Sequence, residues 1–248
     1  MHSQTAVSPS RGAAIVPIEP VDRAPTFRDI FKGLPTDAYA AGEAIFWEGD
    51  EAGHIFDVLA GVLRIYKILA DGRRAIVGFI YPGDVLGVSF QSRYLFTAEA
   101  VTAVKVRRFS RSRFFALVGE SPLLRPQLFA ILCDEMSAAQ DQMLLLGRMS
   151  AQERVASFLL AVHRKNGCGG TLELPMSRLD IADYLGLTIE TVSRMMTSLG
   201  RRGFIAATGR HTIALRRIDA LREIAGADDE RDGVPRGVVP ARRAVWPN

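Results

Sequence analysis

The sequence predicts an α+β chain: a strand-rich N-terminal half folded as an antiparallel sandwich or roll, one long helix, and a winged helix-turn-helix. Three observations predict it. Between about Ala40 and Phe109, short β-branched and aromatic runs alternate with turn residues. From Ser121 the apolar residues change to helical spacing. Residues 177–217 then hold two short helical patterns joined through Gly186 and followed by two short apolar runs.

In the first region the runs AIFW, IFDVLA, VLRIYKIL, AIVGFIY and AVKVRRF are separated by Glu48-Gly49-Asp50, Gly61, Asp71-Gly72 and Pro82-Gly83-Asp84. Many short strands with regular turns argue an antiparallel sandwich or roll. Asp71-Gly72 between apolar runs is a hairpin signal of the type I′ kind, whose two central positions both require positive φ. Arg111 to Val118 reads as a short helical connector.

In the long helix Phe129, Leu132, Met136, Ala139, Met143 and Leu146 follow a 3-4-3-4-3 spacing, an a/d seam suited to a partner helix. Leu128, Ile131 and Leu145 supply a second apolar face toward the β domain. Two faces imply two partners, so the seam is expected to join two copies of the chain. Cys133, beside Leu132, is expected to be packed. Gly147-Arg148-Met149 breaks the helix, and Ser150 to Glu153 spells a capping box that opens another, running to about Lys165.

A short strand at Leu172 to Leu174 leads to Ser177-Arg178-Leu179-Asp180, a second capping box. Its helix offers Leu179, Ile181, Ala182 and Leu185 to the core, and Gly186 ends it in a left-handed conformation. Thr188 caps the next helix, Ile189 to about Arg201. Val192, Met195, Met196 and Leu199 form its buried face, which turns Glu190, Thr191, Ser193, Arg194 and Ser198 outward. Polar side chains on the first turns of such a second helix are placed to meet base edges in a major groove. Phe204 to Ala207 and Thr212 to Leu215 flank a basic tip, making a two-stranded wing, and Ile218 to Ile224 closes the domain as a short helix.

Composition agrees with that reading. Residues 1–150 hold 16 Lys+Arg against 16 Asp+Glu, while residues 151–248 hold 15 against 11, which is the whole net charge of +4. Within 176–217 there are seven Arg and three acids, the footprint of a polyanion partner such as double-stranded DNA. Arg194 suits a bidentate contact to guanine O6 and N7, Glu190 can accept from a cytosine amino group, and Ser193 can touch a neighbouring base. Ser177, Arg178, Thr188, Thr191, Arg201, Arg202, Arg210 and His211 are the expected contacts to the DNA backbone. The bland alternative for Glu190 and Arg194 is a surface i,i+4 ion pair.

Residues 1–25, with no continuous apolar core, read as a disordered leader, and 227–248 as a disordered tail. Between them the expected units are 26–120, 121–147 and 148–226. No apolar run approaches the roughly 20 residues that span a bilayer, so no membrane partner is expected. The two cysteines, Cys133 and Cys168, make no disulfide framework, and a cytoplasmic location is the expectation. No metal-ligand spacing, phosphate-cradling loop or nucleophile–base constellation points to an enzyme, a metal or a cofactor.

The stretch Asp180-Ile181-Ala182-Asp183-Tyr184-Leu185-Gly186-Leu187-Thr188-Ile189-Glu190-Thr191-Val192-Ser193-Arg194, with its E-x-x-S-R pattern, resembles the CRP/FNR superfamily and its FixK-like branch. The resemblance covers about residues 27–225. It implies a cyclic-nucleotide-binding-type antiparallel β-roll, a dimerisation helix and a C-terminal winged helix-turn-helix. It also implies a homodimer on a palindrome like TTGAT-N4-ATCAA, contact with RNA polymerase, and activation in low-oxygen or nitrogen-fixation control. Nucleotide-binding relatives carry Gly-Glu and, about ten residues later, an Arg-Ser/Thr pair that holds the phosphate. Here Gly83-Asp84 is followed by Tyr94-Leu95, with Arg93 one position off the slot and so on the opposite face of a strand. No cysteine precedes Cys133, so the four-Cys iron–sulfur cluster of the oxygen-sensing branch cannot be built. His54, His163 and His211 are read as surface or packed side chains rather than haem ligands. These departures favour a regulator that needs no effector; the alternatives are a regulator gated by an unidentified ligand, or one tuned by oxidation of Cys168.

Overall fold

A computed structural model of the chain describes residues 26–226, apart from 166 and 168. The leader, the tail and Cys168 therefore lie outside the described residues. Before the first strand stands a helical turn, α1 (Phe27–Ile30), whose Phe27 packs on Phe114 with ring centroids 5.2 Å apart. Eight strands follow: β1 (Thr36–Tyr39), β2 (Ala44–Phe46), β3 (His54–Ala60), β4 (Leu63–Ile68), β5 (Arg74–Ile80), β6 (Val85–Leu86), β7 (Thr97–Ala100) and β8 (Val104–Ser110). They form two antiparallel four-stranded sheets, ordered β1-β8-β3-β6 and β2-β7-β4-β5. The chain crosses from one sheet to the other between β3 and β4, at Gly61, which has φ +82° and whose missing Cβ leaves room for the Ala103 carbonyl oxygen.

The β4–β5 hairpin differs from the expected two-residue turn. Leu69 N–H donates to Arg73 O at 2.8 Å and Gly72 N–H to Leu69 O at 2.9 Å, which leaves a three-residue loop. In such loops a type I turn is followed by one left-handed residue, so the positive φ is needed at Gly72 (φ +82°). Asp71 instead accepts from the Arg73 backbone N–H at 3.1 Å. Three elements carry no strong sequence signal. β1 is a half-exposed edge strand, β6 has two residues, and β7 (TAEA) has Thr97 as its one β-branched residue.

Helix α2 (Arg111–Glu120) packs on β8, and α3 (Leu124–Arg148) runs on through Gly147 to a C-cap at Met149. The second apolar face behaves as expected: Leu128 is buried against the roll with Phe31, Ile55 and Phe114, and Ile131 is half-buried beside them. Cys133 is exposed rather than packed, because it stands off the face turned to the roll. Helix α4 (Ala151–Lys165) opens with the expected box: Ser150 N–H donates to Glu153 Oε2 at 2.6 Å and Glu153 N–H to Ser150 Oγ at 3.4 Å.

Then come β9 (Thr171–Glu173), α5 (Arg178–Leu185), α6 (Ile189–Arg201), β10 (Ile205–Ala207), β11 (Thr212–Leu215) and α7 (Ile218–Ile224). The wing is three-stranded, because β9 pairs with β11 as well as β11 with β10. One continuous core joins this domain to the roll. Phe79 of β5 meets Tyr184 of α5 at 5.5 Å and Phe158 of α4 at 6.3 Å, so the two halves share buried aromatic surface. No helix among the described residues is long and apolar enough to cross a membrane.

Gly61→Ala is expected to lower stability by about 2–4 kcal/mol, combining left-handed strain with overpacking against the carbonyl; urea unfolding monitored by circular dichroism measures it.

Candidate nucleic-acid interface

Local chemistry builds the two helices of the reading unit. In α5 the Ser177 hydroxyl accepts from Asp180 N–H at 3.1 Å, and Asp180 Oδ2 accepts from Ser177 N–H at 3.0 Å, so both ends of the box are made. Gly186 ends the helix at φ +61°, ψ +39°. In α6 Thr188 Oγ1 accepts from Thr191 N–H at 3.2 Å. Ile181, Ala182, Leu185, Val192, Met196 and Leu199 are buried, and Met195 is half-buried. Leu179 departs from its expected place in the core and is 49% exposed. The buried side of α5 centres on Ile181, Ala182, Tyr184 and Leu185, and at about 100° per residue position 179 falls roughly opposite.

The structure places Glu190, Ser193 and Arg194 exposed on the first turns of α6, opposite its buried face. Among the described residues Glu190 makes no ion pair with Arg194; the Arg194 guanidinium lies 3.4 Å from the Thr191 hydroxyl and donates to it. Arg201, Arg202, Arg210 and His211 are exposed, with the Arg202 guanidinium 4.4 Å from the Phe204 ring centroid at the base of the wing. Ser177 and Thr188 are exposed and Thr191 half-buried. Arg178 is also half-buried: its Nη1 finds no partner among the described residues, and burial draws its pKa below the usual arginine value. Arg217, over Phe204 at 5.3 Å, is a further exposed cation that the helical pattern did not single out.

Electrostatically the unit is more basic than its sequence. Of its three acids, Asp180 and Asp183 are turned inward and paired with arginines of the roll, Arg64 and Arg74. Glu190 is left as the exposed acid among seven arginines in 176–217. Two more side chains hold the unit. Gln142 of α3 donates to Tyr184 O at 2.9 Å. Arg154 of α4 donates to Leu146 O (2.8 Å), Met149 O (2.9 Å) and Leu185 O (2.9 Å). None of Arg64, Arg74, Gln142 and Arg154 carried a sequence signal, since their partners lie elsewhere in the chain.

On α3, Phe129, Met136 and Met143 are 66%, 64% and 65% exposed, a strongly apolar row with no cover in a single chain. Ala139 is exposed and Leu146 is 39% exposed, while Leu132 is half-buried and packs partly against the roll.

The roll does not fit an anionic cyclic nucleotide. The Tyr94 ring stacks on Phe46 with centroids 3.7 Å apart, and its hydroxyl donates to His54 O at 2.8 Å. Arg93 is exposed and bonds Gly49 O at 2.5 Å. Asp84 is buried, but its carboxylate accepts from Lys165 of α4 at 3.0 Å and from Tyr81 N–H at 2.9 Å. Desolvation raises its pKa and the Lys165 ammonium opposes that. Val88 on the neighbouring turn is buried and apolar. Tyr94 and Leu95 thus stand where nucleotide-binding relatives carry the Arg-Ser/Thr pair, and a cyclic phosphate without that counter-charge is costly to desolvate. His163 is buried, with its pKa lowered chiefly by desolvation.

Two domain families match this chain: the Crp-like helix-turn-helix domain over residues 153–224 and the cyclic nucleotide-binding domain over residues 36–121. The nitrogen fixation regulation protein FixK of Bradyrhizobium diazoefficiens is 48% identical over 172 residues, which are 68% of this chain and 73% of that protein. The chain belongs to the CRP/FNR superfamily, in its FixK branch. The transcriptional activator protein FnrL of Cereibacter sphaeroides is 34% identical over 80% of this chain and 83% of its own length. The solved structure of FixK2 from Bradyrhizobium japonicum superposes with a TM-score of 0.75 at 40% identity, covering 77% of this chain and 96% of that one. This CRP/FNR protein is thus a DNA-binding transcription regulator: an N-terminal nucleotide-binding-type roll is followed by the helix-turn-helix that reads DNA.

Ser177→Ala and Thr188→Ala should each cost about 1 kcal/mol of stability by removing a helix cap; thermal unfolding of the free protein checks both.

Proposed function

We propose that the chain acts as a homodimer joined along α3, which reads a TTGAT-N4-ATCAA-like palindrome and activates transcription without an effector. The observation that carries this reading is the polar edge of α6, where Glu190, Ser193 and Arg194 stand exposed over a fully apolar opposite face. In each half-site Arg194 addresses a guanine, Glu190 a cytosine amino group and Ser193 a neighbouring base. Ser177, Arg178, Thr188, Thr191, Arg201, Arg202, Arg210 and His211 contact phosphates and set the register. The exposed row Phe129, Met136 and Met143, continued by Ala139 and Leu146, supports the dimer seam, since apolar surface of that extent on a helix calls for a partner. The unfit roll supports independence from cyclic nucleotide. Contact with RNA polymerase and a place in low-oxygen or nitrogen-fixation control rest on the family and its named members.

Arg194→Ala should lose about 1–3 kcal/mol of affinity for the palindrome and keep most binding to random DNA. Anisotropy titrations on both probes measure the difference, and equal weakening on the two would reduce Arg194 to a phosphate contact. Wild-type affinity should also fall steeply with salt, with a log–log slope near −0.9 per phosphate neutralised. Met136→Asp, which puts a charge into the seam, should shift the protein from dimer to monomer in sedimentation and abolish the preference for two half-sites over one.

A further inference from the structure

Helices α5 and α6 pack as one unit. Gly186 and the Leu187 N–H bond to Ala182 O (3.0 Å) fix the turn between them, and Leu185, Val192 and Leu199 are fully buried in their shared core. The orientation of α5 therefore dictates that of the recognition helix. Covalently the C-terminal domain hangs from α3 by Met149 and Ser150, a joint that by itself leaves it free to pivot.

Both ends of α5 are nevertheless held. Its C-terminal carbonyls at Tyr184 and Leu185 receive Gln142 and Arg154. Its first two turns are held by the β4–β5 hairpin of the roll. Arg64 Nη1 donates to Asp180 Oδ1 at 3.0 Å, Arg74 Nη2 donates to the same oxygen at 2.6 Å, and Arg74 Nε donates to Asp183 Oδ2 at 2.9 Å. Arg64 is itself braced by Glu99 of β7, which also accepts from the Tyr66 hydroxyl at 2.9 Å. The side chains are little exposed: 17% for Arg64, 21% for Arg74, 13% for Glu99, 4% for Asp180 and 19% for Asp183. At that burial the ion pairs are weakly screened, and removing one member leaves an uncompensated charge. Every charge in the cluster is met by another charge of the same chain.

We propose that Arg64 and Arg74 are positioning residues for DNA reading, which lock α5, and through it α6, at the orientation a palindrome of fixed spacer demands. The proposal rests on the dimer-and-palindrome reading above. It explains how a roll that offers no fit to a cyclic nucleotide still serves DNA binding: its hairpin is the rigid stop against which the reading unit is set.

The test uses the full chain and a palindrome series in which the four-base spacer of TTGAT-N4-ATCAA is kept or lengthened by one or two base pairs. Each added pair rotates one half-site by about 35° about the duplex axis. The wild type should strongly prefer the original spacer. In the Arg64→Ala/Arg74→Ala protein the ratio of affinities between original and lengthened spacers should fall by about tenfold, while Arg74→Lys should retain most of it. The ratio is insensitive to the fraction of folded protein, because inactive material weakens every probe alike. Should the double variant fail to fold, Asp183→Ala, which releases Arg74 from one acid and leaves the Asp180 cap in place, decides by the same ratio. An unchanged ratio in a folded, dimeric variant overturns the proposal. A wild type that binds all spacers and single half-sites equally overturns the palindrome reading, and the lock with it.

Discussion

The carboxylate of Asp180 is the point on which the two halves of the molecule meet. One oxygen completes the cap of α5 through Ser177, and the other receives Arg64 and Arg74 from the roll. A buried carboxylate without partners is expensive, and this one offsets its desolvation twice, once locally and once across the domain boundary. The same pairing turns Asp180 and Asp183 away from solvent, so the outward face of the helix-turn-helix is dominated by arginine. The cluster therefore bears on both domain orientation, together with the contact of Phe79 on Tyr184, and the electrostatics of the reading face.

The roll keeps the architecture of a nucleotide-binding domain, and its core packs aliphatic side chains around Phe46, Phe56 and Tyr94. Tyr94 and Phe46 stack, Asp84 is committed to Lys165, and Phe79 reaches across to Phe158 and Tyr184. These contacts give cohesion within the roll and between it and the C-terminal domain.

Helix α3 divides its duties by face. Leu128 and Leu145 are buried in the chain's own cores, while Phe129, Met136 and Met143 stay uncovered. Leu132 lies between the two and touches the roll, so the uncovered row and the roll-facing row are adjacent surfaces of one helix rather than opposite sides.

By itself the sequence determined what depends on neighbours three or four residues apart: the capping boxes at Ser150 and Ser177, the left-handed Gly186, the cap at Thr188, the buried face of α6 and thus its polar reading edge. These are short-range hydrogen bonds and helical periodicity, legible in any window of a few residues. Other features were settled by packing. Leu179 faces outward because the rest of α5 turned its centre of burial elsewhere. Cys133 is exposed because the roll covers only part of α3, and the β4–β5 loop has three residues because strand register set its closure. The partners of Asp180 lie 116 and 106 residues away at Arg64 and Arg74, and no local pattern encodes a pair at that separation. Local bonds made the reading helix; where it points was decided by charges and buried rings that meet only when the chain is folded.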